Sequence, residues 1–324
     1  MNVLITGING FIGQSLYSTM QSLKWQVRGT VRSLKNVEHL QPYNADIRIA
    51  TMNADFDWSE ILDGVEIIIH LAARVHMMHD SASDPAAAFR EVNVSGTGRL
   101  AREAAAAGVK CFVFMSSVKV CGEGKQVPYT ERDTPVPEDL YGVSKWEAEQ
   151  VLSKVADETG LKVVILRSPL VYGPHVKANF LRMLKLIRVG LPLPLGTINN
   201  RRSMIYVGNL VDAILNCIKH PKAAGETFLV SDGDDASTPQ LIRMIASAMG
   251  KKPRLLPIPP VLLNMMGKVT GKSAEVERLT SSLCVDCDKI RTTLGWKPPL
   301  SMEAGIRDTV RWFMEDSDSS LRTH

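Results

Sequence analysis

The stretch "NVLITGINGFIGQSLYSTM", Asn2 to Met20, decides how the rest of the chain is read. A short apolar run ends at Thr6, glycines follow at positions 7, 10 and 13, and a helical pattern then runs from Phe11 to Leu23. A strand that enters a glycine turn and leaves it as a helix is built to meet a phosphate. Gly7 permits the tight turn, Gly10 lets a pyrophosphate approach the backbone, and Gly13 lets the helix pack on the strand. The helix N-terminus then faces the anion. The spacing predicts a dinucleotide site on Gly7, Asn9, Gly10, Phe11, Ile12 and Gly13.

Working outward, short strand-like runs recur at "WQVRGTVR", "IRIAT", "VEIIIHLAA", "KCFVFMSS" and "LKVVILRS", several of them rich in β-branched residues. Helical patterns separate most of them, including one over Asp84 to Ala107. This alternation predicts an α/β fold: a Rossmann doubly wound parallel sheet covered on both faces. After Arg167 the texture changes to Pro/Gly-rich loops and helices with few strands, as in "GLPLPLG" and "LLPIPPVLLNMMG". We expect a dinucleotide-binding domain over residues 1–172, to which residues 203–232 return, with "GETFLVSD" as one more strand. Residues 173–324 are expected to form mainly a smaller substrate-binding lobe.

The second strand runs "QVRGTVRS", with Val31 where an acid commonly bonds the ribose 2′-hydroxyl of NAD, and Arg32 after it. A guanidinium fork suits a 2′-phosphate, so NADP(H) is favoured over NAD(H) within an NAD(P)(H) site. Further on, "DLYGVSKWEAEQVL" sets Tyr141 and Lys145 four apart on one face of a helix. A phenol with a pKa near 10 is a poor acid or base at neutral pH. A neighbouring ammonium is expected to draw it down. Ser117, at the end of the strand in "FVFMSSVKVCGEG", would hydrogen-bond the same substrate oxygen.

Other signals exclude function classes. The formal charge of +4 comes from scattered basic residues, so no nucleic-acid footprint is expected, though mild basicity suits an anionic small ligand. No apolar run reaches the roughly 18–20 residues that span a bilayer. The chain opens on a strand rather than a charged leader, so no secretory signal is expected. Five cysteines, an odd number, point to free thiols in a reducing, cytoplasmic setting. Cys284 and Cys287 form a lone CxxC without a second ligand pair, and His76 and His79 lack a third ligand, so no metal is expected.

Taken together, "TGINGFIG", "HLAA" (His70 to Ala73), "NVSGT" (Asn93 to Thr97), "SSVKVCG", "YGVSK", "RSPLVYGP" and "RRSMIYVGNLVDA" make the chain resemble, over almost its whole length, an extended short-chain dehydrogenase/reductase. The likeness is to the nucleotide-sugar epimerase/dehydratase type. The resemblance implies a catalytic triad of Ser117, Tyr141 and Lys145, with Leu71, Ala72 and Ala73 lining the nicotinamide side. It implies that Arg202 grips the diphosphate of a UDP-sugar, with Arg201 and Arg278 as candidate helpers and Asn179 and Phe180 near the nucleotide. Ser203 and Asn209 stand where the family commonly has aspartates. The resemblance further implies a homodimer built from the helices Asp84 to Ala107 and Leu140 to Glu158.

Dehydratases of the family carry an Asp-Glu pair directly after the catalytic hydroxyl residue. Here Val118 and Lys119 stand there, so elimination of water is disfavoured and hydride transfer at C4 remains. The pattern is similar to bacterial surface-polysaccharide enzymes of two kinds. One is a 4-reductase of a UDP-2-acetamido-4-keto-2,6-dideoxyhexose, which exchanges its cofactor each cycle. The other is a UDP-glucose or UDP-GlcNAc 4-epimerase that retains NAD. Arg32 tilts the reading towards the reductase. A carbonyl reductase of small ketones and a non-catalytic nucleotide sensor are further alternatives. Lys119 is expected to face solvent. The apolar segment 255–269 either cradles a polyprenyl chain or, as expected, packs on the core.

Overall fold

The computed structural model describes residues 1–35, 46–75, 83–125, 127–271 and 273–322. In chain order its strands are β1 (Asn2–Thr6), β2 (Gln26–Val31), β3 (Asp46–Ile49), β4 (Ile67–His70), β5 (Cys111–Ser117), β6 (Val163–Ser168), β7 (Leu170–Tyr172), β8 (Arg202–Tyr206), β9 (Thr227–Leu229) and β10 (Asp235–Ala236). Seven form one sheet in the order β3-β2-β1-β4-β5-β6-β9, with every pairing parallel. The order reverses between β1 and β4. Ligand crevices of such sheets open at this reversal, outside the carboxyl ends of the strands.

The helices are α1 (Phe11–Ser22), α2 (Ser59–Leu62), α3 (Pro85–Arg90), α4 (Gly96–Ala106), α5 (Leu140–Thr159), α6 (Ala178–Val189), α7 (Val207–Lys219), α8 (Thr238–Ala248), α9 (Pro260–Val269), α10 (Ser273–Thr280), α11 (Asp288–Leu294) and α12 (Met302–Arg322). Strand side chains alternate between two buried layers, which is why the strands read as unbroken apolar runs. Val3, Ile5, Val113 and Met115 pack with α1 and α7 through Leu16, Met20, Leu210 and Ile214. Leu4, Phe112 and Phe114 pack with α4 and α5 through Leu100, Ala104, Leu152 and Val155 on the other face. The doubly covered α/β expectation holds.

Beyond β6 the chain carries more strand than its texture predicts. β8 pairs parallel with β7 and antiparallel with β10 in a separate three-stranded sheet. These strands are two to five residues long, too short for a periodic signal. A third core gathers Tyr172, Phe180, Tyr206, Ile242, Ile306 and Phe313 around them.

Two expectations change here. The helix expected over Asp84 to Ala107 is interrupted by a π-turn, Glu91–Ser95, between α3 and α4. The single extra residue turns Asn93 inward, and such turns leave no mark in hydrophobic periodicity. The segment 255–269 packs on the core only in part, at its start, where Leu255 lies against the third core. Of α9 only Leu263 and Gly267 are buried, because the helix rests by one edge on α10, where Gly267 lies against Val276.

One buried charge pair fastens α5 to the sheet. Glu149 accepts from Arg167 Nη2 at 2.6 Å and from Ser116 Oγ at 2.5 Å, so β5, β6 and α5 share one carboxylate. Removing one member strands the other charge in the interior. Glu149→Ala should therefore lower stability by about 3–5 kcal/mol, while Glu149→Met with Arg167→Met recovers most of it. Urea unfolding of the three proteins measures this.

Candidate active site

The carboxyl ends of β1, β4 and β5 meet at the sheet reversal, and neighbouring strands lie about 4.8 Å apart, so β1 and β5 end about 10 Å from each other. At the end of β1, Gly7 has φ +70°, and a Cβ there would meet the backbone of Ala72 at 3.1 Å. The loop Leu71 to Ala73 is thus pressed against the glycine turn. A Cβ on Gly13 would lie 2.6 Å from the carbonyl oxygens of Gly7 and Ile8. α1 starts at Gly10 with no side-chain cap and no acid in its first turn. The N–H groups of Phe11, Ile12 and Gly13 therefore have no partner within the helix. Phe11 and Ile12 turn their half-buried side chains into the cores, so they can offer an anion backbone only. Asn9 spends its carbonyl oxygen on Gln14 Nε2 at 2.9 Å. This bend fits the pyrophosphate of a dinucleotide.

A buried chain of hydrogen bonds fixes the loop after β4. Thr6 Oγ1 accepts the N–H groups of Leu71 and Ala72, both at 3.1 Å. Its own proton therefore goes to His70 Nδ1 at 2.6 Å, and Nε2–H of His70 donates to Thr97 Oγ1 at 2.9 Å. Burial, helped by the charge of Lys145, pushes His70 down to about 3, so it is neutral. Asn93 extends the fixture. Its Oδ1 accepts Arg74 N at 2.8 Å, and its Nδ2 donates to Arg74 O at 3.0 Å and Ser144 Oγ at 2.9 Å. The loop is thereby tied to α5.

α5 begins at Asp139, whose carboxylate caps Gly142 N at 2.7 Å. A Cβ on Gly142 would lie 2.7 Å from Lys119 O, so glycine lets the helix close on the end of β5. Tyr141 thereby comes beside Ser117, whose hydroxyl opposes the rise in its pKa. Lys145 is buried one turn later. Its Nζ donates to Met115 O at 2.8 Å and sits 4.4 Å from the Phe114 ring centroid.

The expected electrostatics need correcting. The protein's own groups do not acidify the phenol. Burial, then the charge of Asp139, push Tyr141 up to about 12 against the smaller opposing effect of the Ser117 hydroxyl. Burial pulls Lys145 down to about 7, partly countered by Glu149. Nor does Lys119 face solvent. It is half-buried and paired with Glu123 and, at 3.3 Å, Asp139.

Residues 3–231 match the model of the "NAD dependent epimerase/dehydratase family". The chain belongs to this family. Among relatives of this family member, a UDP-glucose 4-epimerase of Vibrio cholerae is 42% identical over 97% of this chain and 96% of its own. An N-acetyl-alpha-D-glucosaminyl-diphospho-ditrans,octacis-undecaprenol 4-epimerase of Escherichia coli O157:H7 is 28% identical, covering 96% of this chain and 95% of its own. Among solved structures, a UDP-glucose 4-epimerase with UDP-glucose from Thermotoga maritima superposes with a TM-score of 0.79 at 25% identity, covering 98% of this chain and 100% of that one.

In this family member the remaining candidates are more dispersed. Arg32 is exposed at the end of β2 and makes no ion pair with a described residue. Arg202 is half-buried at the start of β8. Its Nη1 donates to Arg278 O at 3.0 Å, Ser281 O at 3.1 Å and Ser281 Oγ at 3.0 Å. No carboxylate among the described residues pairs with it, and burial lowers its pKa. Arg278 is half-buried and bonded through its carbonyl oxygen, and Asn179 is exposed on α6. Arg201 pairs with Asp235 at 3.1 Å, and Phe180 is a core residue stacked on Tyr172 at 5.5 Å. Ser203 Oγ donates to Asp235 at 2.5 Å and Asn209 Nδ2 to Asp232 at 2.8 Å. An aspartate at either position would set two carboxylates face to face.

Cys284 and Cys287 turn to different partners, the former to Arg201 O and the latter to Ser231. No three His, Cys, Asp or Glu among the described residues are placed to hold a metal, and His76 and His79 lie outside those residues. Sequence reasoning missed Thr6, Asn93 and Glu149. The first two stand inside the quoted motifs "TGINGFIG" and "NVSGT", which were the only signal available.

The lowered Lys145 pKa makes a stability prediction. Between about pH 7 and 10.5 the unfolded chain binds one more proton at this lysine than the folded one, so folding gains about 1.4 kcal/mol per pH unit as pH rises. Lys145→Met lacks the term. Urea midpoints taken from pH 7 to 9.5 should show the wild type gaining on the variant. Parallel curves would mean that the lysine is not desolvated.

Proposed function

We propose that the protein is a nucleotide-sugar 4-epimerase acting on a UDP-hexose or UDP-N-acetylhexosamine, with Ser117, Tyr141 and Lys145 as its catalytic residues. The observation that carries the reading is the closure of α5 on the end of β5, which sets Tyr141 and the buried Lys145 beside Ser117 and near the uncapped glycine bend. The 42% likeness to a UDP-glucose 4-epimerase over 97% of the chain supports the choice of reaction.

Tyr141 takes the proton of the sugar C4 hydroxyl and later returns it. Ser117 holds the same oxygen while its charge changes. Val118 has no proton to give, and Lys119 is held by Glu123 and Asp139, so neither completes the acid–base pair that expulsion of water requires. A nicotinamide dinucleotide held by the bend Gly7–Gly13 and the loop Leu71–Ala73 supplies the hydride acceptor and donor. Because the protein's own groups leave Tyr141 a weak acid, a bound oxidised nucleotide would supply the positive charge that lowers its pKa. In the lobe that we assign to the substrate, Arg202 is the diphosphate contact. It is partly desolvated, pinned on one side, and without a carboxylate among the described residues.

Arg32 favours a second reading, the NADPH-dependent 4-reductase of a 4-keto sugar, since it stands where a 2′-phosphate would lie and no acid does. One assay separates the two. Purified protein given UDP-glucose or UDP-GlcNAc without added cofactor should invert C4 and release NAD on denaturation. Loss of nicotinamide absorbance with NADPH and a UDP-4-keto-6-deoxy-HexNAc, without inversion, would install the reductase instead.

Tyr141→Phe should lower turnover by about 10²–10⁴-fold with the urea midpoint retained. Arg202→Met should weaken UDP binding by about 10–100-fold, the loss expected for hydrogen bonds to charged groups, while nucleotide retention is unchanged. Calorimetry with UDP checks the second.

A further inference from the structure

The charges of this chain are unevenly placed. Residues 177–202 and 236–271 hold eleven of the 38 Lys and Arg and none of the 34 Asp and Glu, so the remainder is net negative although the whole is +4. The two segments are stitched together. Leu193 N donates to Arg254 O at 2.8 Å, Leu256 N to Leu193 O at 2.8 Å, and Gly196 N to Leu256 O at 2.9 Å. Lys251 Nζ also donates to Arg188 O.

Both segments expose apolar side chains. On α9, Val261, Leu262, Met265, Met266 and Val269 fall within one arc of a 3.6-residue helix, turned away from the buried Leu263 and Gly267. Val261 is 71% exposed, Met265 60% and Val269 88%. Beyond the connecting hydrogen bonds, Leu186, Val189, Leu191 and Leu256 are exposed as well. Single exposed apolar side chains need no explanation, but nine on two joined segments do. The same segments carry the exposed cations Arg182, Lys185, Lys251, Lys252, Arg254 and Lys268, the last at the border of the α9 arc, against one exposed acid among the described residues of the neighbouring α10, Glu277.

The occupant of this face must be both apolar and negative. A second copy of the chain would set one cationic rim against another. A bilayer with anionic headgroups satisfies both demands. An apolar arc with Lys and Arg along its border is the pattern of a helix lying in the headgroup plane, with basic side chains reaching to the phosphates. No described helix is long and apolar enough to cross a membrane, so the contact lies on the surface. We propose that α9, together with the basic segment 251–254 that precedes it, docks the protein on membranes containing anionic lipid. The docking does not depend on which reaction the protein performs.

Co-flotation of the full chain with phosphatidylglycerol/phosphatidylethanolamine vesicles tests this. The protein should float with them at low salt, bind phosphatidylcholine vesicles about tenfold less, and be released by about 0.5 M NaCl. Val261→Asp with Met265→Asp, at exposed positions that leave the urea midpoint unchanged, should reduce binding by about tenfold or more. Lys252→Glu with Arg254→Glu should reduce it on anionic vesicles. Failure of the wild type to float, or undiminished flotation of the Val261→Asp/Met265→Asp protein, overturns the proposal. So does a dimer in sedimentation velocity that the same variant dissolves, since the face would then belong to a second copy.

Discussion

The seating of α5 on the end of β5 is the constraint on which the rest depends. Glu149 anchors the helix from within by taking both Arg167 and Ser116. Gly142 lets its first turn reach the carbonyl of Lys119. Between these two points the register of the helix is fixed, and with it the height of Tyr141 and Lys145 above the sheet. A carboxylate nearly free of solvent would destabilise the fold if it stood alone. Shared between a guanidinium and a hydroxyl, it becomes a rivet whose position tolerates little play. Ser144, one residue before Lys145, links the same helix through Asn93 to the loop after β4. The glycine bend touches that loop at Ala72. The three strand ends are therefore one mechanical unit, not three neighbouring sites.

The electrostatics of that unit run against intuition drawn from spacing alone. A lysine four residues from a tyrosine on a helix suggests a charge that acidifies the phenol. Here desolvation of the half-buried phenol and the buried ammonium penalises both ionised forms, moving the tyrosine up and the lysine down. Burial wins because Lys145 spends its proton on Met115 O and an aromatic face, neither of which carries a full opposing charge. A site in this condition is poised. A positive charge beside a partly desolvated phenol acts on it more strongly than it would in bulk water.

How much of this was legible follows from which interactions are local in sequence. The glycine turn, the strand–helix alternation and the Tyr141/Lys145 face each depend on residues within a few positions, and the sequence displays them. The sheet reversal also follows, once seven parallel strands are granted. Glu149 gave no signal, since its partners lie 18 and 33 residues away and a charged residue on an amphipathic helix reads as surface. Asn93 was hidden by the π-turn, which keeps the apolar pattern of a continuous helix while rotating one residue inward. The segment 255–269 misled in the opposite way. Its apolar composition suggested a core helix, but composition does not say which side of a helix finds a partner, and only Leu263 and Gly267 did.

The lobe differs from the sheet half in how it handles charge. Around the sheet, acids and bases alternate and pair, as Arg28 does with Asp46 and Lys110 with Glu66. In the joined segments 177–202 and 236–271, no acid is available to pair with the cations from within. Arg201 pairs outside them with Asp235, but the exposed Arg182, Lys185, Lys252 and Lys268 have no ion pair among the described residues, and their attraction for anions extends about a Debye length, roughly 8–10 Å at physiological salt. Arg202 belongs to the same acid-free stretch, but burial and three hydrogen bonds from one nitrogen hold it in place. One surplus of positive charge thus has two expressions. Where the arginine is fixed and partly desolvated it can define the position of a diphosphate, and where lysines stand free on an apolar surface they can only favour a negative one.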